Sequence, residues 1–330
     1  MVGKVYGIGS YAPSKVLDNY DLAKLVDTND EWIRERTGIA RRHIVEEDTT
    51  VSMSVEASKR ALQQANMQAE ELDLILVSTI SSNVILPCAA CEVQAEIGAT
   101  NAVAFDINLA CSGFVAAYAT AQAYIVSGMY RKVLIIGSEA LSTLTNWTDR
   151  GTCILFGDGA GAVVMKAEEG TVYQSVLHSD GSIGGALTCK SRHNLAVDKA
   201  LFAEGTQEPW KMPEDTYMQM EGQAVFKFAV KKVPEVIQEV LDKNQVNIEE
   251  IDWFVLHQAN KRIIDSIAKR LQVPIAKMPT NVEEYGNTSS ASIPLLLDEL
   301  NREGKLKKGQ KIVLAGFGAG LSWGASILEF

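Results

Sequence analysis

The sequence is short of positive charge, of paired cysteines and of any apolar leader, and each shortage narrows what the chain can be. It has 31 Lys and Arg against 41 Asp and Glu, a net charge of −10. That balance argues against general binding to nucleic acid or anionic membrane, while leaving room for a local basic patch. The five cysteines (Cys88, Cys91, Cys111, Cys153 and Cys189) are odd in number and stand mostly in apolar surroundings. Reduced thiols in a cytoplasm fit this pattern better than a disulfide framework does. "PCAAC" at 87–91 has Cys-x-x-Cys spacing but no second pair, so a packed helix start is expected there rather than zinc. The opening "MVGKVYGIGSYAP" has no continuous apolar segment, and no secretory signal is expected from it. Low-complexity segments are absent too.

Charge is missing from one long run, "INLACSGFVAAYATAQAYIVSGMY" at 107–130. It is the one candidate membrane span, but Ala, Ser, Gly and Thr dominate it where a lone span would carry Leu, Ile, Val and Phe. Small residues on every side of a helix mean close packing against neighbours.

What is present suits a globular α/β chain: 330 residues, 47% hydrophobic and 22% charged, enough for two domains or one duplicated unit. "VSMSVEASKRALQQANM" has helical apolar spacing and leads into the strand "LDLILVST". Later, "VFKFAVKKVPEVIQEVLDKNQV" leads into "IDWFVLHQAN", the same order of elements. Setting Asp73 on Asp252 gives an offset of 179 (252 − 73), which also sets "KVLIIGS" at 132 on "KIVLAGF" at 311 and "NLACSGF" at 108 on "NTSSASI" at 287. Three blocks in one register indicate an internal repeat, with halves 1–170 and 171–330. Each half would supply a sheet covered by helices. The polar, weakly periodic stretch at 188–216 reads as an excursion within the second half.

The register brings candidate residues into correspondence. Cys111 opens a helix whose counterpart region holds Asn287, and Ser78, at a strand end, corresponds to His257. If the halves pack about a pseudo-two-fold axis, Cys111, His257 and Asn287 converge. Helix-start amides favour a thiolate, which would make Cys111 nucleophilic; the competing reading is a buried thiol acting as a small hydrophobe. His257 is equally a core histidine from its context alone, and Asn287 equally a loop or N-cap residue. "GIGSYA" at 7–12 imitates a dinucleotide fingerprint, but Pro13 stands where its helix should continue, so it is rejected. "FGDGAGA" at 156–162 reads as a tight turn before a strand.

An ordered set of segments carries a resemblance: "GIGSYAPSKVLDN", "DTNDEWIRERTGI", "ACSGF", "TDRGTCILFGDGAGA", "HSDGS", "HQAN", "YGNTSSAS" and "GFGAGLSWG". Together they resemble β-ketoacyl-acyl-carrier-protein synthase III, the condensing enzyme that starts fatty-acid synthesis, from first strand to last. The resemblance implies a thiolase-like fold, with duplicated halves in a five-layered α/β/α/β/α arrangement, and a homodimer. It implies a catalytic Cys111, His257 and Asn287, with backbone amides of Cys111 and Ala319 as oxyanion hole. Acyl-CoA would be a substrate, not a cofactor, contacted by Thr28, Trp32, Arg36, Arg150, Met220, Gly222, Phe226 and Asn260. An acyl carrier protein would dock at Gln258, Lys261 and Arg262, with Lys269 and Arg270 adding charge to the same helix. Leu86 matches a position that closes the acyl pocket across the dimer; several relatives carry Phe there, so longer or branched primers become an expectation. No metal site is implied. A related synthase of secondary metabolism shares the same site. Two more distant classes compete with it. One is a Cys-His-Asn hydrolase, whose papain-like cysteine context is absent; the other is a non-catalytic acyl- or carrier-binding protein.

Overall fold

The structure, a computed structural model, describes residues 1–190 and 216–330; the excursion at 188–216 therefore lies, from 191 to 215, outside the described residues. In chain order the strands are β1 (Val2–Tyr11), β2 (Lys15–Asp18), β3 (Arg41–Ile44), β4 (Leu74–Ser78), β5 (Val103–Ile107), β6 (Lys132–Ala140), β7 (Asp158–Glu168), β8 (Val176–Ser179), β9 (Leu187–Thr188), β10 (Gln219–Met220), β11 (Trp253–Leu256), β12 (Lys311–Gly318) and β13 (Ser322–Glu329). Two sheets organise the chain. One runs β1-β7-β6-β4-β5 and the other β11-β12-β13-β8. In the first, β4 is parallel to β5 and β6, while β7 is antiparallel to β6 and β1. The second repeats that scheme, with β11 parallel to β12 and β13 antiparallel to β12 and β8.

Five layers follow from what each sheet buries. The uncharged run becomes the end of β5, a 3-10 turn (Ala110–Ser112) and the helix Gly113–Val126. That helix and Ser292–Arg302 lie between the sheets, where Phe114, Val115, Tyr118, Ile293, Leu296 and Leu297 share one core with Leu74, Ile135 and Val163 of one sheet and Val255, Leu314 and Leu328 of the other. From Gly113 to Gln122 the first of these helices is enclosed by both sheets, with no residue exposed, which explains the missing charges there. Outside, Thr50–Ala65 and Ala89–Ile97 cover the first sheet, and Gly222–Asn244 and Lys261–Leu271 cover the second. Among the described residues no helix is long and apolar enough to cross a membrane.

The repeat extends to backbone detail. Ala110 and Ser289 both adopt left-handed conformations (φ 45° and 49°), as do Asn66 and Gln245 (φ 47° and 53°); each pair is 179 apart (289 − 110, 245 − 66). The same carboxylate lock recurs: Asp73 Oδ2 accepts from Lys132 N, and Asp252 Oδ2 from Lys311 N. The halves differ where β5 has no strand counterpart. Val103 plus 179 is Val282, which begins the short helix Val282–Tyr285. "VEEYG" carries two adjacent glutamates and a closing glycine where β5 has "VAFDI", and it forms a helical turn instead of a strand.

The glycine decoys resolve into packing. "GIGSYA" lies within β1, where Cβ atoms at Gly7 and Gly9 would fall 2.1 and 2.4 Å from backbone oxygens of the covering helix. "FGDGAGA" is not the expected tight turn: from Asp158 onward it is part of β7, because its small residues let the helix Ser292–Arg302 lie close against that strand.

Candidate active site

Both sheets end at one place. Cys111 occupies the 3-10 turn after β5, His257 follows β11 directly, and Asn287 precedes the 3-10 turn Ser289–Ala291. All three are buried. Ser289 is the point they share. Its backbone N–H donates to Asn287 Oδ1 at 2.9 Å, which leaves the carboxamide NH2 as the donor side of Asn287. Its hydroxyl, which donates to Glu139 Oε1 at 3.2 Å, lies beside the Cys111 sulfur, and its backbone lies beside the His257 ring. His257 Nδ1 also lies 2.8 Å from Ser292 Oγ. That hydroxyl donates to Ser289 O at 2.8 Å, so Nδ1 carries the ring proton and Nε2 keeps a lone pair.

The left-handed Ala110 and Ser289 are the strained corners that turn each chain end into the site. Such conformations cost of order 1–2 kcal/mol outside glycine and cluster where function requires them. Gly318 brings the other wall close, since a Cβ there would lie 2.6 Å from Cys111 N. Ser112 Oγ and Ser322 Oγ are 2.6 Å apart, and Ser322 Oγ donates to Ala319 O at 3.1 Å. These bonds fix the Ala319 peptide beside Cys111, the two backbone positions expected to face an oxyanion.

Burial sets the electrostatics. It pushes the Cys111 thiol up to about 12, the nearby Glu139 carboxylate adds to that, and the Ser289 hydroxyl opposes it. His257 is pushed down to about 3 by burial, against the Ser289 backbone bond. The expected helix-start thiolate is therefore corrected: the resting site holds a thiol and a neutral imidazole. A helix terminus is worth up to about 2 kcal/mol, whereas lifting a thiol from 9.0 to about 12 corresponds to about 4 kcal/mol, so desolvation wins.

Sequence reasoning missed Glu139. It is fully buried and accepts from Ser81 Oγ (2.7 Å), Ile80 N (3.1 Å), Thr79 Oγ1 (3.3 Å), Ser290 Oγ (3.0 Å) and Ser289 Oγ (3.2 Å). The signal for it was a carboxylate near the end of an otherwise apolar, buried strand.

The residues expected at coenzyme A form a second group. The Arg36 and Arg150 guanidinium carbons lie 4.7 and 5.1 Å from the Trp32 ring centroid. Thr28 Oγ1 is buried with no hydrogen-bond partner. Asn260 caps Lys261–Leu271 by accepting from Arg262 N, and donates to Arg36 O at 3.1 Å, tying the two helices together. Met220 in β10 and Phe226 are half-buried, while Gly222 begins the helix Gly222–Asn244 and is exposed. Arg262 lies 5.8 Å from the Phe226 ring. Lys261, Arg262, Lys269 and Arg270 are exposed, though Lys261 pairs with Asp265 at 2.9 Å.

Gln258 is a correction. It is buried, donating to Leu256 O and accepting from Asn281 N, so its side chain is spent inside and offers nothing to a docking partner. Leu86 is 85% exposed, beside the exposed Val84 and Ile85. Among the described residues no group of three His, Cys, Asp or Glu is arranged to hold a metal ion.

Two family descriptions match the chain. "3-Oxoacyl-[acyl-carrier-protein (ACP)] synthase III" covers residues 105–181, which include Cys111, and its C-terminal counterpart covers 241–330, which include His257 and Asn287. The chain is 44% identical over 330 residues to a beta-ketoacyl-[acyl-carrier-protein] synthase III of Acaryochloris marina, covering 99% of this chain and 97% of that protein. It is 46% identical over 328 residues to the protein of that name from Clostridium perfringens, covering 99% and 98%. Among solved structures, 3-oxoacyl-[acyl-carrier-protein] synthase III from Aquifex aeolicus superposes with a TM-score of 0.91 at 42% identity, over 99% of this chain and 100% of that one. The priming beta-ketosynthase of the R1128 polyketide pathway superposes with a TM-score of 0.91 at 36% identity, over 100% and 96%.

Proposed function

We infer the mechanism from one premise: the chain belongs to the 3-oxoacyl-[acyl-carrier-protein] synthase III family. It is an acyltransferase that condenses an acyl-CoA primer with malonyl-acyl-carrier protein to give 3-oxoacyl-acyl-carrier protein, CoA and CO2, initiating fatty-acid synthesis. The observation that carries our assignment of the chemistry is the meeting at Ser289: its backbone N–H donates to Asn287, and it lies beside both the Cys111 sulfur and the His257 ring.

Cys111 attacks the acyl-CoA thioester as its proton passes to the lone pair on His257 Nε2. Backbone amides of Cys111 and Ala319 hold the oxyanion. The proton then leaves on the CoA sulfur, and the acyl group stays on Cys111. Malonyl carrier next loses CO2, and the enolate oxygen that develops is held by the Asn287 NH2 and by His257. For that step His257 must donate from Nε2: the ring gains a proton there from solvent and gives up the one on Nδ1 to solvent, and the Ser292 hydroxyl turns from Ser289 O to donate to the freed Nδ1. The enolate carbon attacks the acyl carbonyl and Cys111 leaves as thiolate, which takes one proton from solvent to replace the one carried off by CoA. No resident cofactor enters.

Trp32, Arg36 and Arg150 would stack on and pair with the nucleotide of CoA, with Thr28 beside them and Met220, Gly222, Phe226 and Asn260 along the pantetheine. The exposed Arg262 and Lys269 would meet the carrier, an acidic partner. Arg262→Glu is expected to raise KM for malonyl carrier about tenfold, the scale of one interfacial charge contact worth about 1.4 kcal/mol. Acyl-CoA loading should stay near the parent rate; equal loss of both would remove the docking role.

We also propose a homodimer. The exposed Val84, Ile85 and Leu86 and the half-exposed Val103 on the edge strand β5 need a partner surface, which would bring Leu86 over the neighbouring acyl pocket. A cytoplasmic location fits the absence of disulfides among the described residues.

The 36% identity to a polyketide priming synthase favours one second reading, a condensing enzyme of secondary metabolism. One experiment separates the readings. Labelled acetyl-, isobutyryl- or hexanoyl-CoA is added first, and malonyl carrier or malonyl-CoA second. A 3-oxoacyl carrier product supports the proposal, free acid would make the protein a hydrolase, and acceptance of acetyl alone would remove the role given to Leu86.

A further inference from the structure

Beneath the site lies a carboxylate that takes no part in the condensation steps. Glu139 joins the halves: Oε2 takes Ser81 Oγ, Ile80 N and Thr79 Oγ1 from the first, and Oε1 takes Ser289 Oγ and Ser290 Oγ from the second. Such a cluster of donors makes chemical sense only around an anion or a strong acceptor. Yet an anion here opposes what the site must do, because its charge resists ionisation of Cys111. The two roles meet at one hydroxyl. Ser289 Oγ has a single hydrogen and two acceptors, Glu139 Oε1 at 3.2 Å and the Cys111 sulfur.

We propose that Glu139 is a positioning residue acting through Ser289: it holds the Cys111, His257 and Asn287 corners in register and governs how readily the Cys111 sulfur ionises. Glu139 and Cys111 are exchange partners for the Ser289 proton. While the carboxylate holds it, the sulfur stays a thiol; when the Ser289 hydroxyl turns to the sulfur, the thiolate gains its one side-chain donor. Burial raises the Glu139 carboxyl to about 7 against its surrounding hydrogen bonds, so the group holds its charge weakly. Glu139 is the charged side chain acting on Cys111, and His257 is the other titratable group beside Ser289.

This inference rests on Cys111 as nucleophile, but its test needs no substrate. Full-length protein is alkylated with iodoacetamide from pH 6 to pH 10, and modification is followed on the Cys111 peptide by mass spectrometry. Glu139→Gln removes the charge, and its NH2 takes the place of the acceptor facing Ser289, freeing the hydroxyl for the sulfur. Its alkylation profile is expected to move to lower pH; at a fixed pH, alkylation quickens about tenfold for each pH unit that the profile moves. Its kcat should fall with KM for acyl-CoA little changed. Glu139→Asp keeps the charge and should return the profile toward the parent. Ser289→Ala removes the sulfur's donor and should move the profile the other way, to higher pH. This last variant leaves Ser81, Ile80 and Ser290 on Glu139, so it keeps the test available if Glu139→Gln does not fold. A parental alkylation profile in either Glu139→Gln or Ser289→Ala overturns the proposal. Failure of the parent protein to be acylated at Cys111 by acyl-CoA would instead overturn the assigned mechanism and leave the alkylation result standing.

Discussion

Cys111→Ala is expected to lower condensation by about 10⁴-fold or more, the scale seen when a covalent nucleophile is removed from a site that acts as a unit. Acyl loading should vanish with it. Stability should change little, because the substitution removes one atom at the rim of the core, where Cys111 is 7% exposed. The loss should also be selective. The groups assigned to the enolate, His257 and Asn287, sit on the other half and are held by Ser292 and Ser289 rather than by the sulfur. Decarboxylation of malonyl carrier should therefore persist in Cys111→Ala, uncoupled from carbon–carbon bond formation. Measuring CO2 release alongside 3-oxoacyl product separates the two half-reactions. Parallel loss of both would mean that the three residues are not divided in this way.

Gly318→Ala should be nearly as damaging, for a backbone reason. The new methyl would lie 2.6 Å from Cys111 N, 3.1 Å from its Cβ and 3.2 Å from its Cα. Its neighbour is main chain, which cannot swing aside. Either β12 retreats, taking the Ala319 peptide with it, or the 3-10 turn carrying Cys111 shifts. Both separate the two amides assigned to the oxyanion, and losing one such donor costs about 10²–10³ in kcat. KM for acyl-CoA should change far less, because Trp32, Arg36 and Arg150 are on other elements. Gly185→Ala is the control: a Cβ there meets nothing within 4 Å, and activity should be unchanged. Equal kcat in the two variants would contradict the geometry of the oxyanion site.

Much of the layout was legible because a duplication writes the same physics twice. One offset aligned strands and helices, and the structure extends it to the left-handed corners at Ala110 and Ser289, since each corner must turn a sheet edge into a central helix. The same offset set a strand end, Ser78, against the imidazole of His257, and put the carboxamide of Asn287 in the block that answers the one holding Cys111. Glu139 was not legible, because its role depends on donors 58 to 151 residues away in sequence. Gln258 was misread for the opposite reason. Its neighbours announce a helix start, but the cap is Asn260, and Gln258 lies before it, turned inward to satisfy buried backbone. The resting ionisation of Cys111 was misjudged because the helix end is visible in sequence whereas enclosure between two sheets is not. The missing counterpart of β5 shows the limit of the register itself: "VEEYG" keeps the position but not the strand.

The central claim is that sulfur, imidazole and carboxamide work as one acyl-transfer site around Ser289. Its most direct measurement is the intact mass of the protein after mixing with acyl-CoA alone, followed by peptide mapping. The account predicts one acyl group per chain, on Cys111, that disappears as 3-oxoacyl product when malonyl carrier is added. An unmodified chain, or an acyl group on any other residue, would contradict it.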